Sequence, residues 1–314
     1  MMAERLVLTV TPNPALDMTW HAGRLSPGET HRVDAAQVRA GGKGLNVARV
    51  AAQQGARVLA VTTSGGATGI EFAAELESSG IPSVLVPVAA PTRRSVAIVD
   101  DRDATVLNER GQDPGADAWR ALIEATVDAA ASAGVLVVSG SLPPGAPDEL
   151  VPVLVHIAQA HGIASIVDTS GPAMLAAARA GATVLKPNRA ELAEATGLDE
   201  PLAGARTLLD GETRLVLVSL GTEGMIAVPH DGPALHARLP EVLVGNPTGA
   251  GDAAVAAASV LLAAGVEDPE TLLRAAVAWS AAAVLEPLAG SISPRHAEFA
   301  ERLVVTAYAP TETA

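Results

Sequence analysis

The chain has 314 residues and a formal net charge of −14, from 21 Lys and Arg against 35 Asp and Glu. That length suits one large α/β domain or two small ones, with a substantial core, and the acidity argues against nucleic acid as a bulk partner, which needs clustered Lys and Arg. Cysteine is absent, so disulfides, thiolate metal sites and thiol catalysis are excluded together.

The N-terminus, MMAERLVLTVTPNP, shows strand-like alternation and proline rather than a signal-peptide pattern. Apolar runs elsewhere are interrupted by Gly, Pro or a charge before the ~18 residues of a membrane span. A soluble, cytoplasmic protein without a membrane partner is expected. Leu6–Thr11 reads as the first strand, followed by a helix at Leu45–Gln54, a strand at Arg57–Thr63 and a helix at Gly69–Ser79. A helix at Asp117–Ala133 leads to a strand at Val135–Ser139. A helix at Pro147–His161 then precedes strands at Ala164–Asp168 and Thr183–Leu185. A helix at Arg189–Thr196, a strand at Leu215–Leu220, and alanine-rich helices at Ala250–Ala264 and Pro269–Leu285 complete the pattern. Such alternation implies βαβ units and a mostly parallel sheet covered on both faces, with ligands at the strand ends.

Met18–Gln37 and Thr92–Asn108 break the rhythm. They read as a small β appendage built from separated segments, with SVAIVDDRDATVLNE as two strands around a charged turn. A lid and an inert peripheral hairpin are both open readings. The tail Ala309–Ala314 is expected to fray.

Only two lysines occur, Lys43 and Lys186, and both sit among Gly, Pro and Asn rather than on a helix face. The stretch GNPTGAGDAA, Gly245–Ala254, places Gly249, Ala250 and Gly251 at a helix start, where free amides and the helix dipole attract anions. Asp252 follows in the first turn, a position where a carboxylate is also favoured with no function at all. An anion cradle beside a carboxylate is what phosphoryl transfer to a hydroxyl requires. Neither a P-loop nor a G-x-G-x-x-G fingerprint is present, and the histidines form no H-E-x-x-H; His156 and His161 read as surface residues. Arg39–Gly55 holds Gly41, Gly42 and Gly44 ahead of a helix, which is either pure architecture or close approach to a ligand, with Asn46 reaching a hydroxyl and Lys43 a charge.

Seven motifs in register carry a family resemblance: TPNPALD (Thr11–Asp17), GGKGLNVARV (Gly41–Val50), TRRSVAIVD (Thr92–Asp100), SGSLPPG (Ser139–Gly145), LKPNRAEL (Leu185–Leu192), VSLGTEG (Val218–Gly224) and NPTGAGDA (Asn246–Ala253). Over nearly the whole chain the sequence resembles the ribokinase-like PfkB sugar kinases, in the branch of 1-phosphofructokinase and tagatose-6-phosphate kinase. The resemblance implies one domain over 1–314. It would be a three-layer α/β sandwich on a mostly parallel central sheet, with a discontinuous β lid from about 18–40 and 91–109.

By the same resemblance, Asp252 is the expected base and the amides of Gly249, Ala250 and Gly251 the expected anion hole. Asp17, Gly41, Gly42, Lys43, Asn46 and Ser139 are expected around the sugar, with Arg93, helped or replaced by Arg94, on its existing phosphate. Lys186, Asn188, Ser219, Gly221, Thr222, Gly224 and Gly251 are expected to face ATP. Asn188 and Glu191 are expected to place Mg2+ through water. Six aromatic residues in all leave aliphatic walls for the adenine. The implied reaction is ATP-dependent phosphorylation of fructose 1-phosphate to fructose 1,6-bisphosphate, with tagatose 6-phosphate or fructose 6-phosphate as alternative acceptors. A homodimer through the lid is expected. A non-catalytic sugar-phosphate sensor and a dinucleotide oxidoreductase are the readings from other classes, the latter disfavoured by the missing fingerprint.

Overall fold

The computed structural model describes residues 5–26, 28–100, 104–209 and 211–309. In chain order the first elements are β1 (Leu6–Thr11), β2 (Ala15–His21), β3 (Gln37–Gly41), α1 (Lys43–Gln53), β4 (Val58–Gly65), α2 (Gly66–Ser78), β5 (Ser83–Val88), β6 (Arg93–Val99) and β7 (Ala104–Asn108). The middle of the chain supplies α3 (Ala116–Ala130), β8 (Ala133–Ser139), α4 (Leu150–Ala160), β9 (Ala164–Asp168), α5 (Pro172–Arg179), β10 (Val184–Leu185), α6 (Arg189–Thr196), α7 (Pro201–Thr207) and β11 (Leu215–Ser219). Then come β12 (Met225–Pro229), β13 (Leu235–Arg238), α8 (Ala250–Ala263), α9 (Pro269–Val284), α10 (His296–Arg302) and β14 (Val304–Ala307).

A ten-stranded sheet runs β14-β13-β12-β11-β10-β9-β8-β1-β4-β5. Every pair from β11 to β5 is parallel, and β12, β13 and β14 add antiparallel strands at one end. β1 is apolar or Thr throughout and fully buried, as a strand covered on both faces must be. Its side chains alternate between two cores. Val7 joins Val135, Ile166, Val184 and Leu217 under α1, α8 and α9, while Leu8 joins Leu136, Val167, Leu185 and Val216 under α3, α4 and α5. Helices therefore cover both faces, giving the three-layer α/β architecture the sequence predicts. α8 is buried nearly all round, and its run of alanines lets α1 and α9 come close.

The parallel sheet aligns the C-terminal ends of β1, β8, β9, β10 and β11 along one edge. From there the chain enters the loops that hold Asn13, Ser141, Thr169, Asn188 and Gly221, all of which line one cavity. A second sheet, β3-β2-β6-β7, is built from the two polar stretches. Its strands extend past those stretches, since Ala15, Leu16 and Ala40 at the joint are buried apolar residues. The register sets Arg39 and Ser95 opposite Asp17, and Asn108 opposite Ser95. Strand alternation therefore puts these four on one face and Val38, Met18, Val96 and Leu107 on the other. The expected turn at Asp101–Asp103 and the tail beyond Ala309 lie outside the described residues. Among the described residues, no helix is long and apolar enough to cross a membrane.

Candidate active site

The start of α8 is shaped by its glycines. Gly249 takes the left-handed conformation, φ 84° and ψ −3°, as the N-cap, with no side-chain cap. A Cβ there would stand 2.8 Å from Ala289, so the close approach excludes any other residue. A Cβ on Gly251 would lie 3.3 Å from Lys186 Nζ, so the uncapped amides and a buried ammonium share one electropositive corner. Of the three amides expected to form an anion hole, that of Ala250 already donates to Pro247 O at 3.2 Å.

Asp252 follows in the first turn of α8, buried, and accepts a bond from Asn46 Nδ2 at 2.8 Å. Burial pushes its carboxyl up to about 6, partly opposed by Lys43. Asp17 on β2 is pushed up to about 7, again chiefly by burial, with Arg93 opposing and Asp252 adding to the rise. Gly41 is glycine because a Cβ would run into the Asp17 carboxylate.

Asp168, fully buried at the C-terminal end of β9, is the hub behind this corner. Its Oδ1 lies 3.3 Å from Lys186 Nζ, and its Oδ2 lies 3.4 Å from Lys43 Nζ and accepts from Ser139 Oγ at 2.9 Å. Burial alone would raise this acid, but Lys186 and Lys43 outweigh it and hold the carboxyl below its ordinary range. The same neighbour, ahead of the opposing effect of burial, raises Lys43. Asn188 caps α6 in a reciprocal box: Glu191 N donates to Asn188 Oδ1 at 2.8 Å, and Asn188 N donates to Glu191 Oε2 at 2.9 Å. The other oxygen of Glu191 stands 3.5 Å from Lys43 Nζ.

Arg93 opens β6 and is aimed by main chain. Its Nε donates to Asn13 O at 3.2 Å and its Nη1 to Glu109 O at 3.1 Å. Burial lowers its pKa against the pull of Asp17 and Glu109. Lys43 turns instead toward Asp168 and Glu191, so the two cations answer to different acids. Arg94 lies on the other side of the strand, its amide held by Glu109 Oε2 at 2.8 Å.

One cavity of about 1400 Å³ gathers most of the predicted residues: Asp17, Gly42, Lys43, Asn46, Arg93, Lys186, Asn188, Glu191, Ser219, Gly221, Thr222, Gly224, Gly249, Ala250, Gly251 and Asp252. Gly41 and Ser139 are not in its wall. Gly41 supports Asp17 from behind, and Ser139, fully buried, serves Asp168. Of the two serines in SGS, the one that lines the cavity is Ser141. Sequence reasoning also passed over Asp168 and Asn108. The available signal for Asp168 was a lone acid closing the apolar run ASIV at a strand end. Val277, Ala281 and Val284 on α9, with Val242 and Val244, give the far end of the cavity an aliphatic wall.

A parallel α/β sheet whose strand-end loops build one cleft, with a buried carboxylate at a glycine-rich helix start, has the parts that phosphoryl transfer to a hydroxyl requires. The chain belongs to the pfkB family of carbohydrate kinases, whose family model matches residues 15–296. It is 35% identical to a 1-phosphofructokinase of Xanthomonas campestris pv. campestris, over 96% of this chain and 98% of that one. It is 34% identical to the ATP-dependent 6-phosphofructokinase isozyme 2 of Mycobacterium tuberculosis, over 98% and 91% of the two chains. The tetrameric inhibited form of phosphofructokinase-2 from Escherichia coli superposes with a TM-score of 0.85 at 29% identity, covering 95% of this chain and 98% of that one.

Proposed function

We propose that this carbohydrate kinase transfers the terminal phosphoryl group of ATP to fructose 1-phosphate, giving fructose 1,6-bisphosphate and ADP. The observation that carries the reading is the presence, in one cavity, of Asp252 beside the Gly249–Gly251 helix start together with Arg93. Asn46 occupies Asp252 Oδ2, which leaves Oδ1 to take the proton of the sugar hydroxyl. As that O–H bond breaks, the oxygen attacks the γ-phosphorus in line, and the bond to the bridging oxygen of ADP breaks. A carboxyl with a pKa of about 6 is ionised at neutral pH yet basic enough to accept a proton in the transition state. The amides of Gly249 and Gly251 and the Lys186 ammonium would stabilise the charge on the transferred phosphoryl group. Arg93, with two of its donors fixed by main-chain carbonyls, holds the phosphate already on the sugar.

The donor set suits magnesium. Among the described residues no three His, Asp or Glu side chains converge as a metal cage, whereas Mg2+ is bound by one or two carboxylates, waters and the phosphates of the substrate. Glu191, steadied by its capping box with Asn188, would hold it through water, and the ion when bound neutralises phosphate charge. The four-stranded sheet acts as a lid that excludes water from the cleft. Its outer face exposes Leu107 by 60% and Val38 by 42%, and a second copy of the chain covers it in a homodimer. The enzyme is cytoplasmic.

A panel of fructose 1-phosphate, fructose 6-phosphate, tagatose 6-phosphate and fructose in a coupled ADP-release assay tests the reading. Turnover is expected with the phosphorylated ketohexoses and to be fastest with fructose 1-phosphate. No ADP with any sugar phosphate overturns it. Faster turnover of fructose 6-phosphate, the acceptor supported by the 34% identity to the Mycobacterium tuberculosis enzyme, replaces the acceptor.

A further inference from the structure

The segment joining α9 to α10 crosses behind the start of α8. Its flanks are fastened to the loop ahead of α8 and to α1. Asn246 Nδ2 donates to Pro287 O at 2.9 Å, and Gln53 on α1 exchanges two bonds with Ile292, at 2.9 and 3.0 Å. The apex is held differently. The carbonyls of Ala289 and Gly290 accept from Arg39, Nη1 at 2.6 Å and Nη2 at 3.5 Å. Arg39 belongs to β3 of the small sheet, stands opposite Asp17 and does not line the cavity.

That apex backs two parts of the reaction centre. Ala289 lies against Gly249, where a Cβ would be 2.8 Å away. Gly290, with φ 79°, lies against α1, where its own Cβ would come within 3.0 Å of Asn46 Oδ1 and 3.2 Å of Arg49 Cδ. Ala289 and Gly290 are thus wedged between the cap of the anion-binding helix and the amide that holds Asp252. The planar guanidinium reaches two successive carbonyls from two nitrogens in one fixed geometry, whereas an ammonium would have to meet both from a single nitrogen.

We propose that Arg39 is a positioning residue for phosphoryl transfer, holding Ala289 and Gly290 from the small sheet so that Gly249 and Asn46 stay in register with Asp252. The inference rests on the kinase reading. It assigns Arg39 to alignment of the reacting groups and not to binding of either substrate.

Two readouts on the full-length chain test it, with Arg39→Ala and Arg39→Lys. Hydrogen exchange without substrate is expected to be about tenfold or more faster in Arg39→Ala at the amides of Asn46 and Ala253, which bond to Gly42 O and Gly249 O, the size expected for loss of charge-assisted bonds. Unchanged exchange overturns the strut. In steady state kcat is expected to fall about 10- to 100-fold, as small misplacements at a reacting centre do, with both KM values unchanged and Arg39→Lys intermediate. Equal kcat at a lowered Tm would make Arg39 merely structural, and a raised KM with kcat intact would make it a binding residue; either result overturns the proposal. A wild-type chain that turns over no sugar phosphate sinks the kinase reading instead, and the exchange experiment still decides the strut.

Discussion

Asn46 Nδ2 lies 2.8 Å from Asp252 Oδ2, and this buried bond ties α1 to the first turn of α8. The opposite atom of the amide, Oδ1, is buried with no hydrogen-bond partner among the described residues. The amide is therefore committed to orienting a carboxylate that burial disfavours, an arrangement that sacrifices stability for reactivity.

Replacing Asp252 by Asn separates the two. Loss of the base is expected to lower kcat by about 10³-fold or more, while ATP binding measured by calorimetry persists. A group whose folded-state pKa is raised stabilises fully at low pH and loses that contribution as pH rises through about 6. At pH 7.5 the variant is therefore expected to melt higher than the wild type, by roughly 2 °C or more. Residual turnover near the wild-type rate would remove Asp252 as the base.

Acid should silence the enzyme before it unfolds. With Asp252 as the proposed base only its ionised form is active, so kcat/KM is expected to fall with decreasing pH along a limb centred near 6. Asp17, at about 7, is coupled to Asp252, so the observed midpoints belong to the pair. Asp17→Asn leaves the single ionisation of Asp252, with a slope of one. A profile flat from pH 5 to 8 contradicts this account.

Arg93→Ala is expected to raise KM for the sugar phosphate by about 10- to 100-fold, the range of a charge-assisted hydrogen bond. KM for ATP should not move, because the acids that face Arg93 are Asp17 and Glu109. An unchanged KM for the sugar phosphate takes Arg93 out of the phosphate pocket.

Asp168→Asn addresses the buried acid between the two lysines. Two lysines lose their shared acid, one of them almost fully buried, and breaking such a pair is expected to destabilise by about 3 kcal/mol. The depressed pKa of Asp168 gives the sign: its stabilisation is present above the unfolded value of 3.8 and disappears as pH falls through the folded one. Urea melts of the two proteins should therefore differ at pH 7 and converge in strong acid. Equal midpoints at pH 7 refute the hub.

The parallel core was legible because its strands are uninterrupted apolar runs. Leu6–Thr11 and Ala164–Asp168 coincide with the strands observed. The sheet margins were not. β5 carries Pro87 in SVLVPV, which a sheet tolerates at its edge but which weakens the strand signal. β13 and β14 have only four residues each, and β14 is largely exposed. At the site, glycines and the Asp252 carboxylate were visible because their chemistry is local. Ser139 and Ser141 could not be told apart, since alternation gives residues two apart the same face; β8 ends at Ser139, which meets Asp168, and the chain turns at Gly140, φ 122°, before Ser141 reaches the cavity. The bond from Arg39 to Ala289 spans 250 positions and leaves no local pattern.

Both lysines of the chain border the same cleft, and their accessibility differs, 39% for the Lys43 side chain against 4% for Lys186. Apart from the α-amine, an acylating label has no other side-chain amine to modify. Mass spectrometry of singly and doubly tagged protein thus becomes a direct gauge of cleft occupancy, with no mutagenesis needed to make the reagent selective.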